Sequence, residues 1–206
     1  MIPEPGKIYH IWTHANGDKN LFRKNENYTF FLKKYNYYIP PIADTFAYCL
    51  MPNHLHLMVR MKGEVEVLNF LKVKKSTPNL QGFENLGGFS RVISQQFSNL
   101  FNSYTKSFNK VYDRKGSLFI QNFKRKPVNS ENYFGTLIAY IHNNPVKHGF
   151  TSRPEEWPHS SWHAYLKNRP TKIRRDEGIE WFGNKDEFLR VHREIVMVKF
   201  ISIFEE

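Results

Sequence analysis

Two histidines stand one residue apart inside the apolar run CLMPNHLHLMVR, residues 49–60. Side chains alternate between the two faces of a β-strand, so His54 and His56 would share one face, opposite the leucines beside them. Neighbouring imidazoles on one rigid face can supply two ligands to a divalent metal ion. They can equally be two polar side chains on a solvated face, and the pair alone does not separate these interpretations.

A second set of chemically capable residues lies in YIHNNPVKHG, residues 140–149. Tyr140 and Asn144 are four residues apart, so on a helix they face the same direction. A tyrosine hydroxyl, whose free pKa is about 10, becomes a nucleophile when its deprotonation is assisted. A divalent metal would complement it by polarising a phosphodiester. Two histidines and one amide oxygen would leave coordination positions open for that phosphate, although a tyrosine on an amphipathic helix is more often a packing residue.

The composition favours a polyanion as the partner. The 206 residues include 30 Lys and Arg against 19 Asp and Glu, which gives a formal net charge of +11. Neutralising phosphates releases counterions and gives affinity for nucleic acid without requiring a particular shape. No basic amphipathic helix stands out, so an acidic membrane surface is the weaker alternative. The simplest alternative is a basic protein that has no polyanion partner.

Cysteine use and the terminal segments predict a cytoplasmic protein. Cys49 is the single cysteine of the sequence, so we expect no internal disulfide and a reducing compartment. The amino terminus, MIPEPGKIYH, has no apolar stretch typical of a signal peptide. The run EIVMVKFISIF, residues 194–204, is too short to span a bilayer and contains Lys199.

The elements that would position these residues alternate between strand and helix. Strands are predicted over 7–14, 44–51 and 54–61, the last two joined at Pro52-Asn53 as a hairpin or forming one strand bulged there. The hairpin within this order favours an antiparallel α+β architecture over a doubly wound parallel sheet. Ser130 would begin a helix that Pro145 ends. The remaining predictions are helices over 20–35, 64–75, 90–111, 130–143 and from 184 onward, a loop over 76–90, and a loop or strand over 116–128.

Several segments, in this order, resemble the single-tyrosine HUH transposases. They are LMPNHLHLMV (50–59), a long amphipathic helix, GSLFIQNFKRKPV (116–128), YIHNNPVKHGF (140–150) and WPHSSWHAY (157–165). The similarity is strongest to the REP-associated tyrosine transposases, relatives of the small transposases of insertion sequences. It covers roughly residues 7–166, and its two core motifs are specific in combination although each alone would be weak.

The resemblance implies a ferredoxin-like antiparallel β-sheet flanked by α-helices, an α+β fold, here with a C-terminal helical extension. It implies that His54, His56 and Asn144 bind Mg²⁺ or Mn²⁺ and that Tyr140 is the catalytic nucleophile. The implied reaction cleaves and rejoins single-stranded DNA at hairpin-associated sites, with the tyrosine linked to the 5′ phosphate and the 3′ hydroxyl released. Some dimers of the family build this site from two subunits, so a homodimer is an open expectation.

Basic residues near the two motifs are candidate DNA contacts. Lys124, Arg125 and Lys126 precede the helix of the nucleophile and would hold backbone phosphates, or would form a solvated charge run. Lys147 and His148 belong to the second motif and are predicted to contact DNA as well.

Other residues of the same types are interpreted differently. Tyr133 lies two turns before Tyr140 on the same helix face and is the strongest rival nucleophile, whereas Tyr104 falls on the apolar stripe of the long helix. His10 and His14 have the spacing for one strand face but are not adjacent positions on it. We interpret both of them as structural.

The predicted organisation is a transposase-like domain over residues 1–166, followed by a basic linker and helical extension over 167–206 that the resemblance does not cover. The leading hypothesis is a metal-dependent single-strand DNA transposase. One alternative is a non-catalytic DNA-hairpin-binding protein with this fold, and another is a His-metal phosphodiesterase that uses water as the nucleophile. A covalent protein–DNA adduct separates the first hypothesis from the other two.

Overall fold

The computed structural model describes residues 3–73 and 86–197. Its strands are β1 (Ile8–His14), β2 (Ala43–Leu50), β3 (His54–Met61) and β4 (Lys124–Pro127). Its helices are α1 (Asn25–Tyr38), α2 (Glu64–Val73), α3 (Leu86–Val111), α4 (Glu131–Lys147), α5 (Trp162–Leu166), α6 (Arg175–Glu180) and α7 (Lys185–Met197), and a 3-10 turn spans Pro154–Glu156. Within these ranges, no helix is both long enough and apolar enough to cross a membrane.

The four strands form one antiparallel sheet in the order β2-β3-β1-β4. β1 and β2 are connected through α1 and lie on either side of β3, which is the ferredoxin-like arrangement. The predicted hairpin between β2 and β3 is confirmed, and the hydrogen bond from the Met51 N–H to the His54 carbonyl, 2.8 Å, closes its turn. The alternative prediction, one strand bulged at Pro52-Asn53, is wrong. The predicted fold class, with its C-terminal helices, is confirmed.

Each face of the sheet buries its own core. On one face, Leu57 packs in a cluster with Phe31 of α1 and Phe97 of α3. On the other face, Met58 packs in a cluster with Phe134 of α4. Side chains alternate along a strand, so the histidines of β3 point to the α4 face while the intervening leucines point to the other, as the sequence predicted.

Helix α3 packs its apolar stripe on the face opposite α4. Tyr104 is buried there, and its hydroxyl donates to the Leu21 carbonyl at 2.6 Å. This tyrosine is therefore a core residue, as predicted. The predicted loop at 76–90 lies mostly outside the described residues, and its last part is the first turn of α3, which begins at Leu86.

Pro145 does not end α4, contrary to the prediction. The helix continues through it to Lys147, because a proline in the last turn removes only one intrahelical hydrogen bond. The helix then ends in a Schellman motif, in which Gly149 and Phe150 donate their N–H groups to the carbonyls of Val146 and Pro145. Gly149 has φ +72°, a conformation that glycine adopts without steric cost.

The C-terminal helix α7 packs against α4 through buried histidines. His142 of α4 and His192 of α7 share a hydrogen bond of 2.9 Å between Nδ1 and Nε2. The second ring nitrogen of each histidine is also hydrogen-bonded. His142 Nε2 lies 2.7 Å from the Ser161 hydroxyl, and His192 Nδ1 donates to the Phe188 carbonyl at 2.6 Å. This contact joins the extension to the helix of the candidate nucleophile. The division of the chain at residue 166 stays a prediction.

Acid should weaken this contact. Burial lowers the pKa of His192 to about 4, whereas an exposed histidine in the unfolded chain titrates near 6.5. The unfolded state therefore binds the proton first, so stability is lost as the pH falls from about 6.5 to about 4 and levels off below that. We expect His192 to account for roughly 3 kcal/mol of that loss.

Urea unfolding of the wild-type protein and of His192→Gln at several pH values from 7 to 4 measures this contribution. Carboxylates add their own acid dependence to both proteins, so the difference between the two curves isolates the histidine. The difference should shrink as the pH falls. Parallel curves across the whole range would contradict the prediction.

Candidate active site

Helix α4 carries Tyr140 across the face of the sheet that bears the histidines. Ser130 begins the helix as predicted, its hydroxyl accepting the N–H of Tyr133 at 3.3 Å. The Tyr140 ring is 3% exposed and lies edge-on to the His56 ring, with centroids 5.6 Å apart. The structure therefore brings the predicted nucleophile and a predicted metal ligand together within a single chain.

The three predicted metal ligands converge beside that tyrosine. His54 and His56 are nearly buried, and their perpendicular rings have centroids 5.2 Å apart. Asn144 Oδ1 lies 3.4 Å from His54 Nε2. The Asn144 Nδ2 donates to the Tyr140 carbonyl at 3.3 Å, so the amide nitrogen is used inside the helix and the amide oxygen faces the imidazole.

The hydrogen bonds around the histidines fit metal ligation. His54 Nδ1 lies 2.8 Å from Asn53 Oδ1, and His56 Nδ1 lies 2.9 Å from His10 Nε2. When each Nδ1 donates its proton outward, both Nε2 lone pairs are left for a cation, as in metal-bound histidines generally. His54 Nε2 and Asn144 Oδ1 are then two acceptors 3.4 Å apart, close to the ~3 Å between adjacent ligands of an octahedral Mg²⁺ ion.

The donor set that the resemblance implies is two imidazoles and one amide. Among residues 3–73 and 86–197, no three side chains of the types His, Cys, Asp and Glu are grouped as a metal site requires. The third ligand that the resemblance implies is Asn144, whose amide oxygen lies 3.4 Å from His54 Nε2. Such a neutral set suits a cation that also binds substrate phosphate, since Mg²⁺ usually takes few protein ligands.

Burial favours the neutral forms of His56 and His10. Desolvation lowers the pKa of His56 well below 6.5, with a further contribution from its histidine neighbours. Desolvation, followed by the charge of Lys126, lowers the pKa of His10 to about 3. The neutral imidazole is the form that binds metals, so these side chains need not release a proton at neutral pH before a cation binds.

His10 and His14, which we interpreted as structural, lie beside the predicted metal ligands, a proximity that the sequence did not indicate. Antiparallel pairing places β1 beside β3, with His14 directly opposite His54 and stacked on it at 5.0 Å. His10 bonds to His56. Their spacing did indicate one shared strand face. The pairing of β1 with β3 was the missing information, because the register between non-consecutive strands is not written in either strand alone.

The predicted basic cluster is divided between the two faces of the sheet. β4 pairs with β1 so that Lys124 and Lys126 lie on the face that carries His10. Arg125 pairs with Ile11 and lies on the opposite face. Strand alternation therefore leaves two of the three residues on the histidine face, and their contact with backbone phosphates stays a prediction.

Lys147 and His148 are exposed at the C-terminal end of α4, next to the buried histidines. The His148 and His54 ring centroids are 4.8 Å apart. The Lys147 Nζ lies 5.5 Å from the centroid of the Tyr140 ring. The last helical residues beyond Pro145 and the C-cap thus place a cation and an imidazole beside the site.

A groove of about 1330 Å³ opens between α3 and the segment 116–125. It exceeds the roughly 300–1,000 Å³ of ordinary small-molecule pockets. Trp12 lines the groove and also stacks on His10 at 4.6 Å, so the groove adjoins the histidine face. No acidic residue lines it within the described part of the chain, and its basic lining residues are Lys106, Lys124 and Arg125.

Two known proteins, one similar in sequence and one similar in structure, are both described as REP-associated tyrosine transposases. No family model matches the chain. It is 23% identical over 145 residues to a Haemophilus influenzae protein named as a REP-associated tyrosine transposase, an alignment that covers 69% of either chain. A solved structure, described as that of a REP-associated tyrosine transposase bound to a REP hairpin, superposes with a TM-score of 0.54 at 16% identity. That superposition covers 82% of this chain and 86% of the other. With motifs, fold and a sequence relative in agreement, the resemblance to the REP-associated tyrosine transposases predicted from the sequence is confirmed.

Proposed function

We propose that this protein is a metal-dependent single-strand DNA transposase, which cleaves and rejoins DNA at hairpin-associated sites through a 5′-phosphotyrosine intermediate. The observation that carries the proposal is the position of Tyr140. Its buried ring lies 5.6 Å from that of His56, one helical turn before an amide oxygen that faces His54. A tyrosine that only packed the core would not require two imidazoles and an amide oxygen beside it.

The proposed reaction follows from these groups. The Tyr140 Oη forms a bond to phosphorus while the bond from phosphorus to the 3′ oxygen breaks, and the tyrosine proton ends on the departing 3′ oxygen. His54, His56 and Asn144 would hold Mg²⁺ or Mn²⁺, which when bound polarises the phosphodiester and neutralises its non-bridging oxygens. Burial of the tyrosine ring fixes the direction of its oxygen. The phosphotyrosine bond can be reversed by a 3′ hydroxyl, so the strand can be rejoined.

Charge and shape support a DNA substrate. The net charge is +11, and Lys124, Lys126 and Lys147 lie close to the histidine face, where they would contact backbone phosphates. The expectation that the DNA substrate contains a hairpin comes from the solved relative described above, whose structure holds one. The groove beside α3 would hold an unpaired flank, because the partly exposed ring of Phe123 offers a stacking surface and the basic residues of the groove attract phosphates.

A DNA hairpin with single-stranded flanks, labelled at its 3′ end, tests the proposal. The protein should bind it about tenfold more tightly than a blunt duplex of matched length, because stacking of one unpaired base contributes about 1–3 kcal/mol. Binding should weaken steeply with added salt, since the basic surface displaces counterions from the phosphates. With Mn²⁺ present, part of the label should migrate with the protein on a denaturing gel.

The same gel separates the other two functions. Hairpin binding with no cleavage would support a non-catalytic DNA-binding protein. Cleavage with no label attached to protein would support a phosphodiesterase that uses water. Equal affinity for hairpin and duplex at every salt concentration would contradict the proposed substrate.

A further inference from the structure

His10 contacts the proposed metal ligand His56 through the ring nitrogen that would not bind the cation. Its side chain is fully buried, and its Nε2 lies 2.9 Å from His56 Nδ1. Its ring is stacked against Trp12 at 4.6 Å and against His56 at 5.2 Å, and the Tyr140 ring lies edge-on at 6.0 Å. Packing on several sides holds the imidazole in place, so its hydrogen bond to His56 has a fixed geometry.

A hydrogen bond between two neutral imidazoles has two proton arrangements. If His10 Nε2 donates, the His56 proton stays on Nε2, and that nitrogen cannot bind a cation. If His56 Nδ1 donates, the His56 Nε2 lone pair is available and the His10 proton lies on its own Nδ1. Within the described residues, His10 Nδ1 has no hydrogen-bond partner, so no outer group fixes the choice, and a cation on His56 would select the second arrangement.

We propose that His10 is a positioning residue of the metal centre, which accepts the Nδ1 proton of His56 and so directs the His56 Nε2 lone pair to the cation. This inference rests on the proposed function, because it requires a metal on His56. Metal-bound histidines usually donate their second N–H to a carboxylate, carbonyl or water, and loss of that partner typically weakens metal binding about 10- to 100-fold. Here a histidine of the neighbouring strand takes the same role.

Mn²⁺ titration, with the free ion measured by electron paramagnetic resonance, tests this role without any DNA. His10→Phe keeps an aromatic ring in the packed position but removes the acceptor, and should weaken Mn²⁺ binding about 10- to 100-fold. His10→Gln offers an amide oxygen as acceptor and should recover most of that loss. His159→Phe makes the same substitution at a ring stacked on Tyr28 at 3.6 Å, in another aromatic cluster, and should bind Mn²⁺ like the wild-type protein.

Equal Mn²⁺ affinity of His10→Phe and the wild-type protein would overturn the inference and leave the proposed metal centre intact. Equal losses in His10→Phe and His10→Gln would also overturn it, because they would indicate packing rather than a hydrogen bond. His10→Leu gives a second acceptor-free variant if His10→Phe does not fold, and thermal unfolding checks each protein. Failure of the wild-type protein to bind Mn²⁺ would overturn the metal centre itself, and the role of His10 with it.

Discussion

Replacing Tyr140 by phenylalanine should abolish both DNA cleavage and the covalent protein–DNA adduct while the fold stays intact. The substitution removes only the hydroxyl, so the ring keeps its edge contacts with His56 and His10. The free energy of unfolding should change by no more than about 1 kcal/mol, the usual contribution of one side-chain hydroxyl. A denaturing gel of the labelled hairpin measures the adduct, and urea unfolding measures the stability.

Tyr133→Phe is the matched control. It removes a hydroxyl from the same helix, two turns earlier, and that hydroxyl is also buried. Tyr133 packs against the core on the α4 side, so its variant should form the adduct at the wild-type level. Loss of the adduct in Tyr133→Phe together with its retention in Tyr140→Phe would show that the nucleophile is wrongly assigned. Cleavage by Tyr140→Phe without an adduct would indicate that water is the nucleophile.

Local periodicity was sufficient to group the main candidates. The period of two along β3 placed His54 and His56 on one face, and the four-residue spacing on α4 aligned Tyr140 with Asn144. Both patterns depend on backbone geometry within a single element. That is why they could be read from the sequence before anything was known about packing.

Features that depend on contacts between elements could not be read in this way. The contact of His10 with His56 exists because β1 lies between β3 and β4, and no local pattern encodes that order. The division of the basic cluster also follows from strand pairing, since the segment 116–128 was compatible with either a loop or a strand. Helix α4 passes Pro145 because a proline in the last turn removes only one intrahelical hydrogen bond, and the helix end is set instead by the Schellman motif at Gly149 and Phe150, beyond the helix.

Removing the imidazoles of His54 and His56 together should abolish both Mn²⁺ binding and cleavage. The two side chains are only 2% and 5% exposed, so alanine would leave cavities, and His54→Leu combined with His56→Leu, which fills the space without offering a ligand atom, is the better test of chemistry. Loss of the metal would remove several kcal/mol of transition-state stabilisation, which corresponds to a decrease in cleavage of about a thousandfold or more. Cleavage is measured on the labelled hairpin, and Mn²⁺ binding by titration.

Hairpin affinity in the double variant should stay within about threefold of the wild-type value, because the phosphate contacts are supplied by basic side chains outside the histidine pair. His163→Leu, the same substitution at a histidine of α5, provides a control that should retain both Mn²⁺ binding and cleavage. If the double variant cleaved at the wild-type rate, the histidines would not hold the catalytic metal. If it lost hairpin binding as strongly as cleavage, the pair would belong to the DNA-binding surface instead, since the loss of a metal that acts on the chemical step should leave hairpin binding in place.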